Sequence, residues 1–184
     1  MRAVVGIDPS LTGTAVCVMR EDGKVRMTRH GSKPADGIHA RLARYGALVN
    51  AVCGTFDHFR PACIAIEGYS FGSQGRGIRD GAEFGGLLRD EIAATFPGVP
   101  FHEIPPKSVK QFATGRGNAD KMAVAVACVK RWGVEFATSD EYDAYVLARM
   151  AACAARFAVP ENEGQRKAMG FLETKKPKEK KRGQ

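Results

Sequence analysis

Four carboxylates in this chain stand where chemistry, rather than solubility, has a use for them. Asp8 closes the apolar run Val4-Val5-Gly6-Ile7, and Glu67 closes the run Ile64-Ala65-Ile66. If the two runs are neighbouring parallel strands, both acids project from the carboxyl edge of one sheet, where open α/β sheets place their sites. A single strand-end acid can equally do no more than start a loop. Asp140 and Asp143 lie three residues apart at the start of a helical pattern, on the same face as Leu147, Met150 and Ala154, its apolar stripe. Asp140 has a plainer use in complementing the helix dipole, and Thr138 with Glu141 has the spacing of a capping box. Asp143 has less of one, because an ionised carboxylate on a packing face needs a cation, hydrogen bonds or a metal ion.

Acids converging without histidine or cysteine suit a hard cation, Mg²⁺ or Mn²⁺, held by oxygen alone. The histidines His30, His39, His58 and His102 show no ligand spacing for zinc. Two such ions about 3.5–4 Å apart can activate a water and stabilise the leaving oxygen of a phosphodiester. Glycoside hydrolysis also uses paired acids, without metal; the basic loops nearby argue against it.

Those loops supply the cations a phosphate backbone would meet. Lys107, Lys110, Arg116 and Lys121 flank Gly115-Arg116-Gly117-Asn118 between two helical patterns, and Lys121 opens the second, where the dipole favours an anion. An ordinary solvated turn has the same composition. Residues 68–86 hold seven of the chain's 21 glycines, with Tyr69, Phe71, Arg76 and Arg79 interleaved directly after Glu67. Aromatics beside cations in a loop suit exposed bases and backbone phosphates, or pack inward in a plain connector. Neither a dinucleotide-binding glycine fingerprint nor a P-loop lysine motif is present.

The elements that must position these residues follow from apolar periodicity. Residues 3–7, 13–19 and 24–28 read as three antiparallel strands, the last two joined by Glu21-Asp22-Gly23. A helix over 36–59 follows, with Ile38, Leu42, Tyr45, Val49, Val52 and Phe56 on one stripe. Strands at 62–66 and 99–104 alternate with a helix at 82–96, and helices at 105–112, 119–132 and 140–157 complete the order. The expected fold is α/β: a mixed five-stranded sheet, three antiparallel strands then parallel ones, flanked by helices.

At 184 residues one core is expected, assigned to residues 1–160, and too little chain remains for the second lobe of an actin-like ATPase, whose Gly-Ile-Asp start this chain shares. Residues 164–184 carry +6 of the net charge of +8, so the body is close to neutral and a nucleic-acid reading of it rests on placed residues. Residues 161–184 read as a basic, disordered tail, and removing those after about 163 is expected to weaken binding to all DNA shapes alike. The five cysteines are scattered in apolar runs and read as reduced core residues. No run of 18 apolar residues and no leader pattern appears, so the expectation is a cytoplasmic protein without a membrane partner.

Four motifs in order now carry a resemblance. Gly6-Ile7-Asp8-Pro9-Ser10-Leu11-Thr12-Gly13-Thr14, Ile64-Ala65-Ile66-Glu67, Val109-Lys110-Gln111 with Gly115-Arg116-Gly117-Asn118-Ala119-Asp120-Lys121, and Asp140-Glu141-Tyr142-Asp143-Ala144 resemble the RuvC family of Holliday-junction resolvases, within the RNase H-like superfamily. The match spans roughly residues 3–157. The resemblance implies a homodimeric, Mg²⁺-dependent endonuclease, with Mn²⁺ as a substitute, that nicks paired strands across a four-way DNA junction. It implies that Asp8, Glu67, Asp140 and Asp143 bind metal, that Lys110 and Lys121 act at the scissile phosphate, and that helix 36–59 forms the dimer interface. Tyr69 or Phe71 would stand in for the aromatic that wedges the junction open. The glycine-rich stretch and Lys-rich tail depart from the usual pattern and resemble divergent, phage-type members, whose substrates include flaps and forks. Two other readings keep part of this picture: a nuclease acting on RNA or single-stranded ends, and a non-catalytic junction binder.

Overall fold

The computed structural model describes residues 2–69 and 76–170, with the side chains of residues 76–78 left out. Apolar β-branched runs form β1 (Ala3–Asp8), β2 (Thr14–Arg20) and β4 (Ile64–Glu67), with β3 (Val25–His30) and β5 (Phe101–Ile104) outside them. The sheet order is β3-β2-β1-β4-β5. β3, β2 and β1 pair antiparallel, and β1, β4 and β5 pair parallel, as the alternation of strands and helices requires.

Side chains alternate across β1, so its two faces bury different partners. Ala3, Val5 and Ile7 meet α1 (Ile38–Cys53) and α2 (Arg76–Thr95) through Tyr45, Val49, Val52, Phe84, Leu88 and Ile92. Val4 meets the other layer, built from α3 (Pro106–Thr114), α4 (Lys121–Trp132), α5 (Ser139–Ala154) and α6 (Glu163–Ala168). Among the described residues no helix is long and apolar enough to cross a membrane. All five cysteines are free, four of them buried, and burial raises their thiol pKa values.

The central contact is between β1 and α5. A Cβ on Gly6 would collide with the backbone of Ala144 and Ala148, so the helix lies directly on the strand. Ala144, Ala148, Ala151 and Ala152 are all buried, which keeps the rest of that seam narrow.

Three departures from the sequence expectation are the largest. The helix expected over 36–59 ends at Cys53, where Gly54 caps it, while Phe56 still packs, stacked 5.5 Å from Phe96. α2 begins at Arg76 rather than 82, because apolar anchors at Phe84, Leu88 and Ile92 outweigh the glycines of its first turns. The chain expected to be tail from 161 instead forms α6, with Asn162 as N-cap and Gln165 and Ala168 buried. The remainder of that tail, 171–184, lies outside the described residues.

Gly6→Ala is expected to displace α5 and cost about 3 kcal/mol or more, read as a lowered denaturation midpoint; an unchanged midpoint would mean the helix moves aside freely. Truncation after Gly170 is expected to reduce the salt dependence of DNA binding for every DNA shape, whereas truncation at 163 is expected also to destabilise the fold by exposing the surface that α6 covers.

Candidate active site

The parallel register sets Ile7 beside Ile66, so the next residue on each strand, Asp8 and Glu67, leaves the sheet at the same edge. α5 crosses above β1 and brings Asp140 and Asp143 to that edge. Asp8, Ser10, Glu67, Lys110, Lys121, Asp140 and Asp143 together line one cleft of about 390 Å³. Three elements far apart in sequence, β1, β4 and α5, thus contribute four carboxylates to one space.

Local structure fixes each. Thr14 is fully buried, accepts from Ser10 N–H (3.0 Å) and donates to Ser10 O (2.7 Å), which closes the turn after Asp8. The capping of α5 is done by its neighbours: Thr138 Oγ1 accepts from Glu141 N–H (3.4 Å), and Thr138 N–H donates to Glu141 Oε2 (2.8 Å). Asp140 is therefore not the cap. Its Oδ1 instead accepts from Lys121 Nζ (3.3 Å) and Ser139 Oγ (3.1 Å). Lys121 also donates to Ser139 Oγ (3.1 Å).

Crowding of acids away from water has a clear electrostatic signature. Desolvation, then repulsion from Glu67, Asp143 and Asp140, raises the Asp8 pKa far above the usual carboxylate range. Desolvation, then Asp143, raises Glu67, although Asp8, Lys121 and Lys110 oppose the shift. Burial pushes Asp143 up to about 6 against the pull of Lys121 and Lys110. Asp8 and Glu67 are held up together, each feeling the other's carboxyl, so their titrations are linked.

The other sequence candidates are placed less centrally. Lys107 is exposed on α3 and lies over Gly117, and Arg116 is exposed beyond the C-terminus of α3. Arg79 is exposed and pairs with Asp80 (3.2 Å). Phe71 and the side chain of Arg76 lie outside the described residues. Tyr69 packs on α2: its hydroxyl donates to Ala82 O (3.2 Å), and the Arg89 guanidinium stacks 4.3 Å from its ring centre. Sequence reasoning passed over Arg89, one charge among many on α2. It also donates to Glu67 O (2.8 Å) and Glu103 Oε2 (2.8 Å), tying the end of β4 to the helix. Its spacing from Gly85, whose carbonyl it bonds at 2.9 Å, is the only signal the sequence holds, and it is weak.

Residues 4–147 match the family model described as crossover junction endodeoxyribonuclease RuvC. The chain belongs to the RuvC family. The crossover junction endodeoxyribonuclease RuvC of Thermus thermophilus is 32% identical over 131 residues, covering 67% of this chain and 75% of that one. The RuvC of Corynebacterium diphtheriae is 31% identical over 152 residues, covering 78% and 90%. Among solved structures, T. thermophilus RuvC in complex with Holliday junction substrate superposes with a TM-score of 0.68 at 27% identity, covering 84% of this chain and 94% of that one. The yeast mitochondrial Holliday junction resolvase Ydc2 shares the fold, with a TM-score of 0.56 at 16% identity, covering 92% and 80%.

RuvC membership implies a divalent cation, and the residues fit one. The donors in the cleft are oxygens throughout, and four carboxylates face two ammonium groups, an excess of two negative charges when ionised. Among the described residues no three carboxylate, imidazole or thiol groups already close on a single point; the acids stand as the walls of the cleft.

The raised pKa values fix the sign of a pH effect. Asp8, Glu67 and Asp143 bind protons more tightly folded than unfolded, so the stability this confers is full below about pH 4 and is lost as pH rises through the folded values. In chelator stability is expected to fall between about pH 5 and pH 8, by up to about 1.4 kcal/mol per pH unit per proton and read as a lowered thermal midpoint, and Asp8→Asn should flatten the slope. Mg²⁺ added at the upper pH should raise the midpoint again. A midpoint that climbs with pH in chelator would show that the acids do not repel one another.

Proposed function

We propose that this chain is a cytoplasmic, metal-dependent endonuclease that resolves four-way DNA junctions by phosphodiester hydrolysis. The observation that carries the reading is the single cleft in which β1, β4 and α5 set four carboxylates beside Lys110 and Lys121. In this reading Asp8, Glu67, Asp140 and Asp143 hold the cation, Mg²⁺ with Mn²⁺ as a substitute. When bound, it supplies an activated water and charge stabilisation at the phosphorus.

The chain's own groups do the rest. Burial holds the pKa values of Asp8 and Glu67 up, so both would have to be ionised to hold a cation, which couples activity to pH. Lys121, bonded to Asp140, holds that carboxylate in place and keeps a cation at the cleft's rim, where a phosphate oxygen arrives. Lys110 adds a second positive charge from α3 against the pentavalent transition state.

Resolution needs two incisions on opposed strands, hence two cleft-bearing chains. Ile38 is 51% exposed and Leu42 46% exposed on α1, at the outer end of the stripe whose inner members are buried. That apolar surface supports a homodimer formed through the helix. Tyr69, Phe71, Arg76, Arg79, Lys107 and Arg116 remain the proposed DNA contacts around the cleft, Tyr69 acting only if it leaves its packing on α2.

The test is cleavage of a four-way junction, a flap, a fork and linear duplex in Mg²⁺ and in Mn²⁺. Symmetric nicks confined to the junction are expected. Equal cutting of every branched substrate would replace the resolvase with a general debranching nuclease, and no cutting of any would favour a binder or an RNA enzyme. Asp143→Asn is expected to slow cleavage in Mg²⁺ by about a thousandfold or more, about 4 kcal/mol in the barrier, with the fold and junction affinity retained. Loss of affinity together with cleavage would move Asp143 out of the metal site.

A further inference from the structure

A second groove, of about 480 Å³, runs between the end of β3 and α1, and Arg29, His30, Ser32, Lys33 and Arg44 line it. No carboxylate lines it, and Arg29, Lys33 and Arg44 form no ion pair among the described residues. His30 adds little charge near neutral pH, because burial lowers its pKa and its Nε2 pairs with Thr55 Oγ1 at 2.8 Å.

The groove is fastened to the catalytic edge. Arg44 donates to Ser32 Oγ (2.8 Å), Ser32 O (3.1 Å) and Leu11 O (3.5 Å). Ser32 in turn donates to Leu11 O from its N–H (3.0 Å) and its hydroxyl (2.9 Å). The Arg29 guanidinium lies directly over Gly13. Leu11 and Gly13 belong to the turn that begins at Asp8, and three residues of chain reach at most about 11 Å. The guanidinium groups of Arg29 and Arg44 thus lie beside the turn that leaves Asp8, with the Lys33 ammonium exposed along the same groove.

Plainer explanations cover only part of this. An edge strand carries charges to block sheet extension, which accounts for Arg29. A solvated lysine accounts for Lys33. Neither accounts for Arg44, half-buried and fixed by bonds to oxygens that leave its charge unneutralised. An open groove with fixed positive charge and no acid suits a chain of phosphates.

We propose that this groove holds the phosphate backbone of a DNA arm as it leaves the acidic cleft. The assignment rests on the junction-cleaving reading and adds where one arm lies. The test is junction binding by the full chain in chelator, across a salt series. For Arg29→Gln/Lys33→Gln the slope of log K against log salt is expected to fall by about 2, at about 0.9 per phosphate contact, and for Lys33→Gln alone by about 1. Lys24→Gln/Lys130→Gln, which removes the same charge elsewhere, should keep the wild-type slope. The groove assignment is overturned if the wild type binds and cuts junctions while Arg29→Gln/Lys33→Gln keeps its slope, or if both double variants lose slope equally. A wild type that neither binds nor cuts junctions would overturn the resolvase reading itself.

Discussion

The close approach of α5 to β1 is the constraint on which the rest of the structure depends. Because residue 6 has no side chain, the backbone of Ala144 and Ala148 comes down onto the strand. Asp143 immediately precedes Ala144, and Asp8 lies two residues beyond Gly6. One backbone contact therefore sets the spacing between carboxylates that are 135 positions apart in the chain. A bulkier residue at position 6 would lift the helix and, with it, half of the acids.

What that contact brings together does not favour folding. Four carboxylates in one partly dry cleft repel one another, and two lysines offset only part of the charge. The apolar layers on both faces of the sheet supply the stability that lets the cleft exist, and protonation, which burial favours at Asp8 and Glu67, relieves the repulsion. Burial favours the protonated form of the same carboxylates that would hold a cation, so cation affinity and pH act on the same groups.

Much of this was legible in the sequence, and for local reasons. Apolar runs that end in an acid located Asp8 and Glu67, since a parallel sheet buried on both faces needs such runs. The stripe Asp143, Leu147, Met150 located the inward face of α5. The expected mixed sheet, three antiparallel strands then parallel ones, is the one found. Other features depend on contacts that no local pattern encodes. α1 stops at Gly54 although its apolar period continues, since Phe56 finds Phe96 without being helical. α6 reads as tail because its charges are evident, whereas the burial of Gln165 and Ala168 follows only from the shape of the surface beneath them. Arg89 ties β4 to α2 through backbone carbonyls, which leave no mark in the sequence of the partner.

The capping of α5 has a consequence at the level of the cell. Thr138 and Glu141 hold the first turn together by themselves, so the helix does not depend on the two aspartates between and after them. Chemistry and architecture are carried by different side chains within a few residues. On the proposed reading, a copy of this chain that has lost Asp140 or Asp143 by mutation would keep its shape and its hold on DNA. Mixed with intact copies, it would occupy junctions without cutting them, so that a single altered allele acts as an inhibitor of the normal one rather than as a mere absence.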